Sequence, residues 1–302
     1  MRIGRPIIKA QRNAARDALS SHPRDWRENL YVYPVISRRS RGLSIGINLN
    51  PDTACNFDCV YCQVDRSGLP RVRTVDPAVV ERELSQMLAE AAQGTIFEDP
   101  TFSDVPGEWR VVRDVAFSGD GEPTTCREFK TCMEIVARLK REAGLSTAKI
   151  VLITDACYLT RPEVCEALRM MDANQGEIWA KLDAGTEAYY QRVNRPNYPL
   201  SHVVANILSA ARERPVVIQS LFMRLDGQGP DDAEISAYVG RLRDIVQGGG
   251  RIDRVQVYTV ARPPAEAFVT PLNKGEVDRI AVAVAQQTGL KTEAFYAPDG
   301  EE

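Results

Sequence analysis

The sequence predicts an α/β fold in which six strands alternate with helices to form a largely parallel sheet. Three observations support this prediction. Six apolar, β-rich runs recur between about residues 43 and 260, and segments with helical spacing separate them. The runs are also nearly continuous in apolar residues, as in a sheet covered by helices. Six such units form either a flat doubly wound sheet or an open, three-quarter barrel, and periodicity alone leaves both arrangements open.

The predicted strands are LSIGINL (43–49), VRDVAFSG (112–119), KIVLITD (149–155), EIWAKLD (177–183), VVIQSLFM (216–223) and RVQVYTV (254–260). Helix start signals lie between them: Asp76 before Pro77, and the capping-box spacings Thr125/Glu128, Thr160/Glu163 and Asn273/Glu276. In both candidate architectures the loops at the carboxyl ends of the strands carry the chemistry, so functional residues are expected directly after these runs.

Composition limits the class of protein. The 302 residues are 44% hydrophobic and 26% charged, with a net charge of −3. No apolar run approaches the roughly 18 residues of a membrane span, and the start MRIGRPIIKAQR lacks the apolar core of a signal peptide. These features predict a cytoplasmic protein without membrane contact. In that compartment, clustered cysteines bind metals or perform redox chemistry more often than they form disulfides.

The chain is predicted to have three parts: a basic N-terminal extension (1–42), a core with the strand–helix alternation (43–290) and a C-terminal tail (291–302). Residues 1–41 contain ten Lys/Arg and three Asp/Glu, a net charge of +7, which leaves −10 for the remainder. This pattern is typical of an arm that touches nucleic acid or an acidic partner, and equally of a solvated surface extension.

Three cysteines, Cys55, Cys59 and Cys62, lie within eight residues in the loop after the first predicted strand. A structural zinc site needs four Cys or His ligands, usually as two separated pairs, and no fourth ligand is evident nearby. A [4Fe–4S] cube held by three thiolates keeps one iron open, which is a defect in an electron carrier but useful if a substrate chelates that iron. Zinc, an electron carrier and unrelated buried cysteines remain the alternatives.

The segment CNFDCVYC resembles the CxxxCxxC signature of radical S-adenosylmethionine (radical SAM) enzymes, including the aromatic Tyr61 before the last cysteine. The resemblance implies one [4Fe–4S] cluster whose open iron binds S-adenosylmethionine. It also implies reductive cleavage of that cofactor to methionine and a 5′-deoxyadenosyl radical, which abstracts hydrogen from a substrate. A flavodoxin- or ferredoxin-type reductant is expected. The core of this superfamily is a partial (β/α)₆ barrel, so the resemblance favours the barrel over the flat sheet.

The second predicted strand ends in FSGDGEPTT, which resembles the GGEP-type motif of that superfamily, with Asp120 inserted between the two glycines. The resemblance implies that Glu122, with Ser118 and Gly121, holds the α-amino group of S-adenosylmethionine. Carbonyls exposed by glycines and a carboxylate are suitable acceptors for an ammonium group.

Other polar residues also follow the strands. Thr154, Asp155 and Asp183 are suited to binding ribose hydroxyls, although each could instead be a helix cap or a turn residue. Tyr61 is expected to contact adenine, and its alternative is packing within the loop. Lys181 lies among apolar residues of a strand, so it points into a polar lumen or lies at an edge. In a lumen it would bind an anion or form a Schiff base.

Three longer segments (46–63, 181–196 and 255–272) resemble the radical SAM enzymes grouped with the wyosine-forming tRNA synthase. The resemblance places Arg195 and Arg262 at the substrate mouth, where a guanidinium can clamp a phosphate or carboxylate; surface ion pairs are the alternative. The sequence departs from that group because no cysteine precedes Cys55 to bind a second cluster. The substrate therefore stays open between a tRNA or nucleotide base and a peptide or small metabolite.

Four further cysteines could in principle bind a second cluster: Cys126, Cys132, Cys157 and Cys165. Helical spacing points Cys132 towards the core, whereas Cys126 and Cys157 follow strands near the mouth. Because such positions are not expected to converge, the sequence predicts a single cluster.

Overall fold

The computed structural model describes residues 26–37, 39–66, 69–262, 264 and 266–297. The strands in this part of the chain are β1 (Val32–Ser37), β2 (Gly42–Ile47), β3 (Val112–Phe117), β4 (Lys149–Thr154), β5 (Gly176–Lys181), β6 (Val216–Leu225), β7 (Ile252–Thr259), β8 (Val269–Pro271) and β9 (Thr292–Phe295). The α-helices are α1 (Pro77–Gln93), α2 (Phe129–Glu142), α3 (Pro162–Asp172), α4 (Glu187–Asn194), α5 (Leu200–Glu213), α6 (Asp232–Gln247) and α7 (Lys274–Thr288). Short 3₁₀ turns precede β3 and α2.

The sheet has the order β1-β2-β3-β4-β5-β6-β7-β9, and β8 pairs with β6. The six predicted strands correspond to β2 through β7, and every neighbouring pair among them is parallel. Side chains from β1 through β7 and from β9 line one cavity, so the sheet curves around a lumen. No pairing among the described residues joins β1 to β9. The open barrel is therefore confirmed over the flat sheet.

Alternate residues of the strands bury their side chains on opposite faces. In β4, Ile150 and Leu152 belong to the main hydrophobic core between sheet and helices. Val151, between them, belongs to a small cluster inside the lumen with Trp179 of β5. Both faces are apolar at mid-strand because both are covered, which explains the nearly continuous apolar runs in the sequence.

Two of the predicted helix starts are confirmed. The Asp76 side chain accepts from the backbone N–H of Ala78 at the start of α1, and Asn273 forms a capping box with Glu276 on α7. The predicted capping boxes at Thr125 and Thr160 are wrong.

Hydrogen bonds made elsewhere explain both errors. The Thr125 hydroxyl donates to the Glu122 carbonyl, and the Thr160 hydroxyl donates to Asn206. Helix α2 instead begins after Glu128 and α3 after Arg161, and neither residue makes a side-chain capping bond.

The barrel also uses chain on both sides of the predicted core. Strand β1 lies within the predicted N-terminal extension and pairs antiparallel with β2. Strand β9 lies within the predicted tail and pairs parallel with β7. Most of the basic arm, residues 1–25, lies outside the described residues, so its role stays a prediction. No helix in the described part of the chain is both long and apolar enough to cross a membrane.

Candidate active site

The predicted site residues gather around the lumen, at and below the carboxyl ends of the parallel strands. The cavity there has a volume of about 420 Å³. The predicted residues that line it are Cys55, Cys59, Tyr61, Cys62, Ser118, Gly121, Glu122, Thr154, Asp155, Lys181 and Arg262. Asp183 lies behind its wall, and Arg195 lies outside it.

The cysteine loop, residues 51–66, follows β2 and is fastened to the end of α4. Its backbone bonds are Asp58 N–H to Asn194 O (3.0 Å), Val60 N–H to Val193 O (2.9 Å) and, from beyond the helix, Asn197 N–H to Asn56 O (3.0 Å). Phe57 and Val60 are buried and anchor the loop by their side chains. The positions of the three cysteines thus follow from backbone pairing and apolar burial in the protein itself.

Cys55, Cys59 and Cys62 are half-buried, and all three line the cavity. Burial raises the pKa of the Cys55 thiol to about 12, and the Asp155 carboxylate adds to the shift. Burial also raises the pKa of Cys59 to about 12, with a further contribution from Asp183. A metal centre reverses this preference, because its positive charge favours the thiolate form that ligates it.

The turn after β3 is packed directly against the cysteine loop. A Cβ atom on Gly121 would lie 1.9 Å from the carbonyl oxygen of Ala54, and one on Gly119 would lie 2.2 Å from Asn48 Oδ1. The Glu122 N–H donates to the same Ala54 carbonyl at 3.0 Å. Glycine is required at Gly121 because the backbone of the cysteine loop fills the space of a side chain, and at Gly119 because the side chain and Cα of Asn48 fill it.

Glu122 and Asp155, here called the acidic pair, lie side by side at the ends of β3 and β4. The Glu122 carboxylate accepts from Thr154 Oγ1 at 2.8 Å, from Thr124 N–H at 3.0 Å and from Asp155 N–H at 2.7 Å. Asn56, from the cysteine loop, donates to Asp155 at 3.0 Å. No Lys or Arg among the described residues forms an ion pair with either carboxyl group.

The absence of a neighbouring cation affects the protonation of the acidic pair. Burial raises the pKa of Glu122 to about 8, and the charge of Asp155 adds to the shift. Burial raises the pKa of Asp155 as well. Burial and the mutual repulsion of the two carboxyl groups therefore favour a proton bound to the pair, and a cation placed beside the pair would favour release of that proton.

Lys181 and Asp183, here called the lysine–aspartate pair, lie at the end of β5. Lys181 Nζ is 3.8 Å from Asp183 Oδ1, and the Asp183 side chain is fully buried. The same carboxylate accepts from the Tyr61 hydroxyl, from Asn194 Nδ2 at 2.9 Å and from Leu221 N–H at 2.8 Å. Since its acceptor sites are filled from within the protein, Asp183 supports the wall of the cavity, and a ribose-binding role stays a prediction.

Lys181 points into the lumen, where it contacts two aromatic rings. Its ammonium group donates to the Tyr258 hydroxyl at 2.8 Å and lies 5.0 Å from the centre of the Tyr61 ring. Burial alone would lower the Lys181 pKa, but Asp183 and Tyr258 outweigh that effect and the net pKa is raised. Lys181 is therefore a cation at neutral pH.

Asn194, the last residue of α4, connects the lysine–aspartate pair to a cysteine. Its Nδ2 donates to Asp183 and also lies 3.4 Å from Cys59 Sγ in hydrogen-bonding geometry. Its Oδ1 is buried without a hydrogen-bond partner. An N–H group aimed at a sulfur favours the charged thiolate and is the kind of contact that tunes iron–sulfur clusters.

The remaining predicted residues differ in their placement. The Tyr33 hydroxyl lies 3.1 Å from both the carbonyl and the hydroxyl oxygen of Ser118, so that residue is tied to β1. The Arg262 carbonyl accepts from Gln63 Nε2 at 3.1 Å, which links the loop after β7 to the cysteine loop.

Arg195 makes ion pairs on the protein surface, which was the alternative to a role as a substrate clamp. Its Nη1 is 2.7 Å from Glu266 and 3.6 Å from Asp58, and its side chain is 41% exposed. Its role as a substrate clamp stays a prediction.

The four other cysteines differ in burial and in their contacts. Cys132 is fully buried in α2, as its helical spacing predicted. Cys165 donates to the Leu159 carbonyl, Cys157 is buried and Cys126 is half-buried. Within the described residues, no three His, Cys, Asp or Glu side chains are arranged around a single ion position. The prediction of one cluster stands untested.

Sequence reasoning missed four residues of the site: Asn56, Asn194, Tyr258 and Arg39. Asn56 lies inside the cysteine motif, and Tyr258 lies at the end of a predicted strand, so position could have identified both. Asn194 and Arg39 carry no local signal, because their contacts join parts of the chain that are far apart in sequence.

Known proteins resemble this chain over parts of their length. The GTPase Obg of Brachyspira hyodysenteriae is 23% identical over 256 residues, covering 82% of this chain and 32% of that protein. UPF0026 protein slr1464 of Synechocystis sp. is 29% identical over 170 residues, covering 55% of this chain and 52% of that protein. UPF0026 protein MJ1312 of Methanocaldococcus jannaschii is 28% identical over 167 residues, covering 55% and 44%. The chain thus spans about half or less of the curated relatives it matches.

Solved structures share the fold at low identity. TYW1 with a lysine–pyruvate adduct bound has a TM-score of 0.54 at 13% identity, covering 96% of this chain and 91% of that chain. Streptococcus suis SuiB bound to S-adenosylmethionine has a TM-score of 0.53 at 12% identity, covering 86% and 49%. A model of the Radical SAM superfamily matches residues 49–237, more than half of the chain, including the cysteine loop, the acidic pair and the lysine–aspartate pair. The chain belongs to the radical SAM superfamily.

Proposed function

We propose that this protein is a radical SAM enzyme whose single [4Fe–4S] cluster is held by Cys55, Cys59 and Cys62. When bound, the cluster would supply the electron that cleaves S-adenosylmethionine to methionine and a 5′-deoxyadenosyl radical, which abstracts hydrogen from the substrate. The observation that carries the proposal is that all three thiols of the motif line one cavity at the strand ends.

The residues present fit that cluster. Three thiols on one loop leave one iron without a protein ligand, which is the position that S-adenosylmethionine needs. The loop is held in place by backbone bonds to α4 and its following turn. Asn194 supplies an N–H group to Cys59.

The acidic pair fits the amino group of S-adenosylmethionine. Burial raises the pKa of both carboxyl groups, and no cation among the described residues pairs with either; an ammonium group would supply that cation. Glu122 would accept from that ammonium, with help from carbonyls of the glycine turn at Ser118 and Gly121. Thr154 and Asp155 line the cavity beside Glu122 and are the proposed ribose contacts, and Tyr61 is the proposed adenine contact.

On the substrate side, Lys181, Arg262 and Arg195 are the proposed catalytic residues. Lys181 is the best supported because it points into the lumen as a cation. A raised pKa keeps the ammonium charged, so Lys181 is better suited to contact an anion than to attack a carbonyl as a free amine.

Anaerobic reconstitution tests the proposal. We expect about four irons and four sulfides per chain, and formation of 5′-deoxyadenosine after reduction with dithionite or a flavodoxin- or ferredoxin-type reductant. A protein that binds the cluster and never cleaves S-adenosylmethionine would instead be an electron-transfer protein. Colourless protein that retains zinc and no iron would reject both functions. Deuterated candidate substrates would then identify the reaction by transfer of label into 5′-deoxyadenosine.

Modification of a tRNA or nucleotide base is the alternative substrate class. It rests on the resemblance of the sequence to the wyosine-forming group and on the basic arm, residues 1–42. If the arm binds RNA, its removal should weaken RNA binding and flatten the salt dependence, because fewer counterions are released. Equal RNA affinity with and without the arm, across a salt series, would leave a peptide or small metabolite as the substrate.

A further inference from the structure

Arg39, in the connection between β1 and β2, reaches into the lumen and lies against three aromatic rings. Its guanidinium carbon is 4.4 Å from the centre of the Tyr258 ring, 5.7 Å from Phe295 and 5.9 Å from Trp179. The rings belong to β7, β9 and β5, so three separate strands hold one side chain. Contacts of this kind fix a guanidinium at its face and favour its positive charge.

The charge of Arg39 has no anionic partner among the described residues. The guanidinium lines the cavity and makes no hydrogen bond or ion pair with any described residue. The carboxyl group of Asp114, which also lines the cavity, accepts instead from the hydroxyls of Ser40 and Ser44. Lys181, a second cation that lines the cavity and contacts Tyr258, already has Asp183 at 3.8 Å.

Because the three rings contact the flat face of the guanidinium, the N–H groups at its edge stay available for hydrogen bonds. The N–H donors of Arg lie in the plane of the group, in a fork that matches a carboxylate or a phosphate with two parallel hydrogen bonds. Arg39 and Lys181 both contact Tyr258, at 4.4 and 5.4 Å from its ring centre, so two positive charges flank one wall. A cavity of this kind recognises an anion that also offers apolar surface to the rings.

The Arg39 side chain extends from the amino ends of the parallel strands towards their carboxyl ends. The β1–β2 connection lies at the amino ends, whereas the cysteine loop follows the carboxyl end of β2. Trp179 lies two residues before the end of β5, whereas Tyr258 and Phe295 lie within one residue of the ends of β7 and β9. An anion bound to Arg39 would therefore lie near Lys181, in the same cavity that the cysteines line.

We propose that Arg39 forms the anion-binding subsite for the substrate, which therefore carries a carboxylate or a phosphate group. This inference rests on the proposed function and adds the chemical class of the substrate. Arg39 acts as a specificity-determining residue, and the three rings orient its guanidinium.

Direct binding to the anaerobically reconstituted protein tests the subsite with simple probes. Benzoate carries the anion and a ring, benzamide is its neutral twin, and inorganic phosphate tests the second anion class. Each is titrated by calorimetry with and without saturating S-adenosylmethionine. The variants are Arg39→Gln, Arg39→Lys and the control Arg192→Gln, which removes an exposed arginine that pairs with Asp226 on the surface.

We expect the wild type to bind benzoate about 10-fold or more tightly than benzamide, in the presence of the cofactor as well. Arg39→Gln should lose this preference, Arg39→Lys should keep part of it, and Arg192→Gln should match the wild type. Binding of phosphate alone would identify a phosphate-bearing substrate, and binding of benzoate alone a carboxylate-bearing one.

Three results would overturn the subsite: equal affinity for benzoate and benzamide without affinity for phosphate, anion binding unchanged in Arg39→Gln, or displacement of the anion by S-adenosylmethionine. The wild-type comparison holds even if Arg39→Gln does not fold. Failure of the proposed function would look different, because anion binding would persist in a protein that does not cleave S-adenosylmethionine.

Discussion

The acidic pair and the lysine–aspartate pair occupy equivalent places in the barrel, yet only one contains a cation. Each lies at a strand end, and each is bonded to the cysteine loop, through Asn56 in the first case and Tyr61 in the second. Glu122 and Asp155 share a buried region with no positive charge, and the pKa of Glu122 rises to about 8. Asp183 has Lys181 beside it and a full set of donors.

This difference separates a buried carboxylate that has its own cation from two buried carboxyl groups that have none among the described residues, and it supports the proposal that the second pair binds the cofactor's amino group. A buried carboxylate with its own cation and donors needs nothing further, and it stiffens the wall that carries it. Two buried carboxyl groups without a cation favour a bound proton, and a positively charged ligand would stabilise their ionised form. The acidic pair and the lysine–aspartate pair are thus both hydrogen-bonded to the cysteine loop, but they differ in charge.

The largest expected effect comes from removing the thiols of the cysteine loop, to which both the acidic pair and the lysine–aspartate pair are hydrogen-bonded. Cys55→Ala, Cys59→Ala and Cys62→Ala should each lose the cluster and the cleavage of S-adenosylmethionine together, because three protein bonds leave no spare ligand. The triple variant should bind almost no iron. Cys132→Ala is the control and should keep about four irons; about four irons on the triple variant would reveal a second site.

Removing Lys181 should destabilise the lysine–aspartate pair, which is the pair that contains a cation. Lys181→Met leaves Asp183 buried without its counter-charge, and we expect a loss of about 2–4 kcal/mol in the free energy of unfolding. Chemical denaturation of the metal-free protein measures it. The matched change Lys130→Met breaks a solvent-exposed ion pair with Glu166 and should cost much less, because solvent screens that pair. Equal losses would mean that the buried pair contributes no more than a surface contact.

Removing the acid should damage cofactor binding in particular. Glu122→Gln should retain the cluster but weaken affinity for S-adenosylmethionine by about 1.5–3 kcal/mol, because a charge-assisted hydrogen bond is lost. Titration of the reconstituted protein measures the affinity. Glu134→Gln, an acid on the outer helix α2, serves as the control. Unchanged affinity in Glu122→Gln would assign the glycine turn a purely structural role.

The acidic pair should also produce a pH dependence. Burial raises the folded pKa of Glu122 to about 8, above the ordinary value of 4.5, so between these pH values the folded protein holds a proton that the unfolded chain releases. Its contribution is fully present below pH 4.5 and is lost as the pH rises towards 8, by at most about 1.4 kcal/mol per pH unit. The unfolding free energy of the metal-free wild type, minus that of Glu122→Gln, should fall across this window. A difference that stays flat would contradict the raised pKa.

The smallest effect concerns the bond between Asn194 and Cys59. Asn194→Leu removes an N–H group directed at a cluster sulfur, which should lower the reduction potential by about 20–60 mV, equivalent to one ordinary hydrogen bond. Potentiometric titration followed by electron paramagnetic resonance measures the shift. Asn174→Leu, in the turn after α3, should leave the potential unchanged, and an unchanged potential in Asn194→Leu would mean that the contact is not made to the bound cluster.

The sequence predicted those parts of the molecule that depend on local pattern. The six parallel strands follow from apolar runs, and the cysteine loop follows from spacing. Strand β1 escaped prediction because VYPVIS contains Pro34 and lies in a basic segment. Strand β9 was not predicted because it has only four residues, all of them half-buried, and so lacks the alternation of buried and exposed positions that marks a strand.

The electrostatic character of the site could not be read from the sequence. Glu122 and Lys181 were identified from their positions, but the missing cation of the first and the counter-ion of the second depend on neighbours brought together by folding. Arg39 is the extreme case. It lies in a run of arginines with no motif, and its three rings are 140, 219 and 256 residues away along the chain. Only the curvature of the sheet brings them together.

The backbone bonds that hold the cysteine loop against the end of α4 and the turn after it bear on how the proposed cluster would be rebuilt after exposure to air. Three peptide hydrogen bonds and two buried side chains hold the loop, and none of them involves a metal. We therefore expect the loop to be ordered by folding itself, so that metal binding does not bear the entropy cost of ordering it. If oxygen destroyed the proposed cluster, the thiols should stay in place, and rebuilding the cluster should require only a source of iron and sulfide.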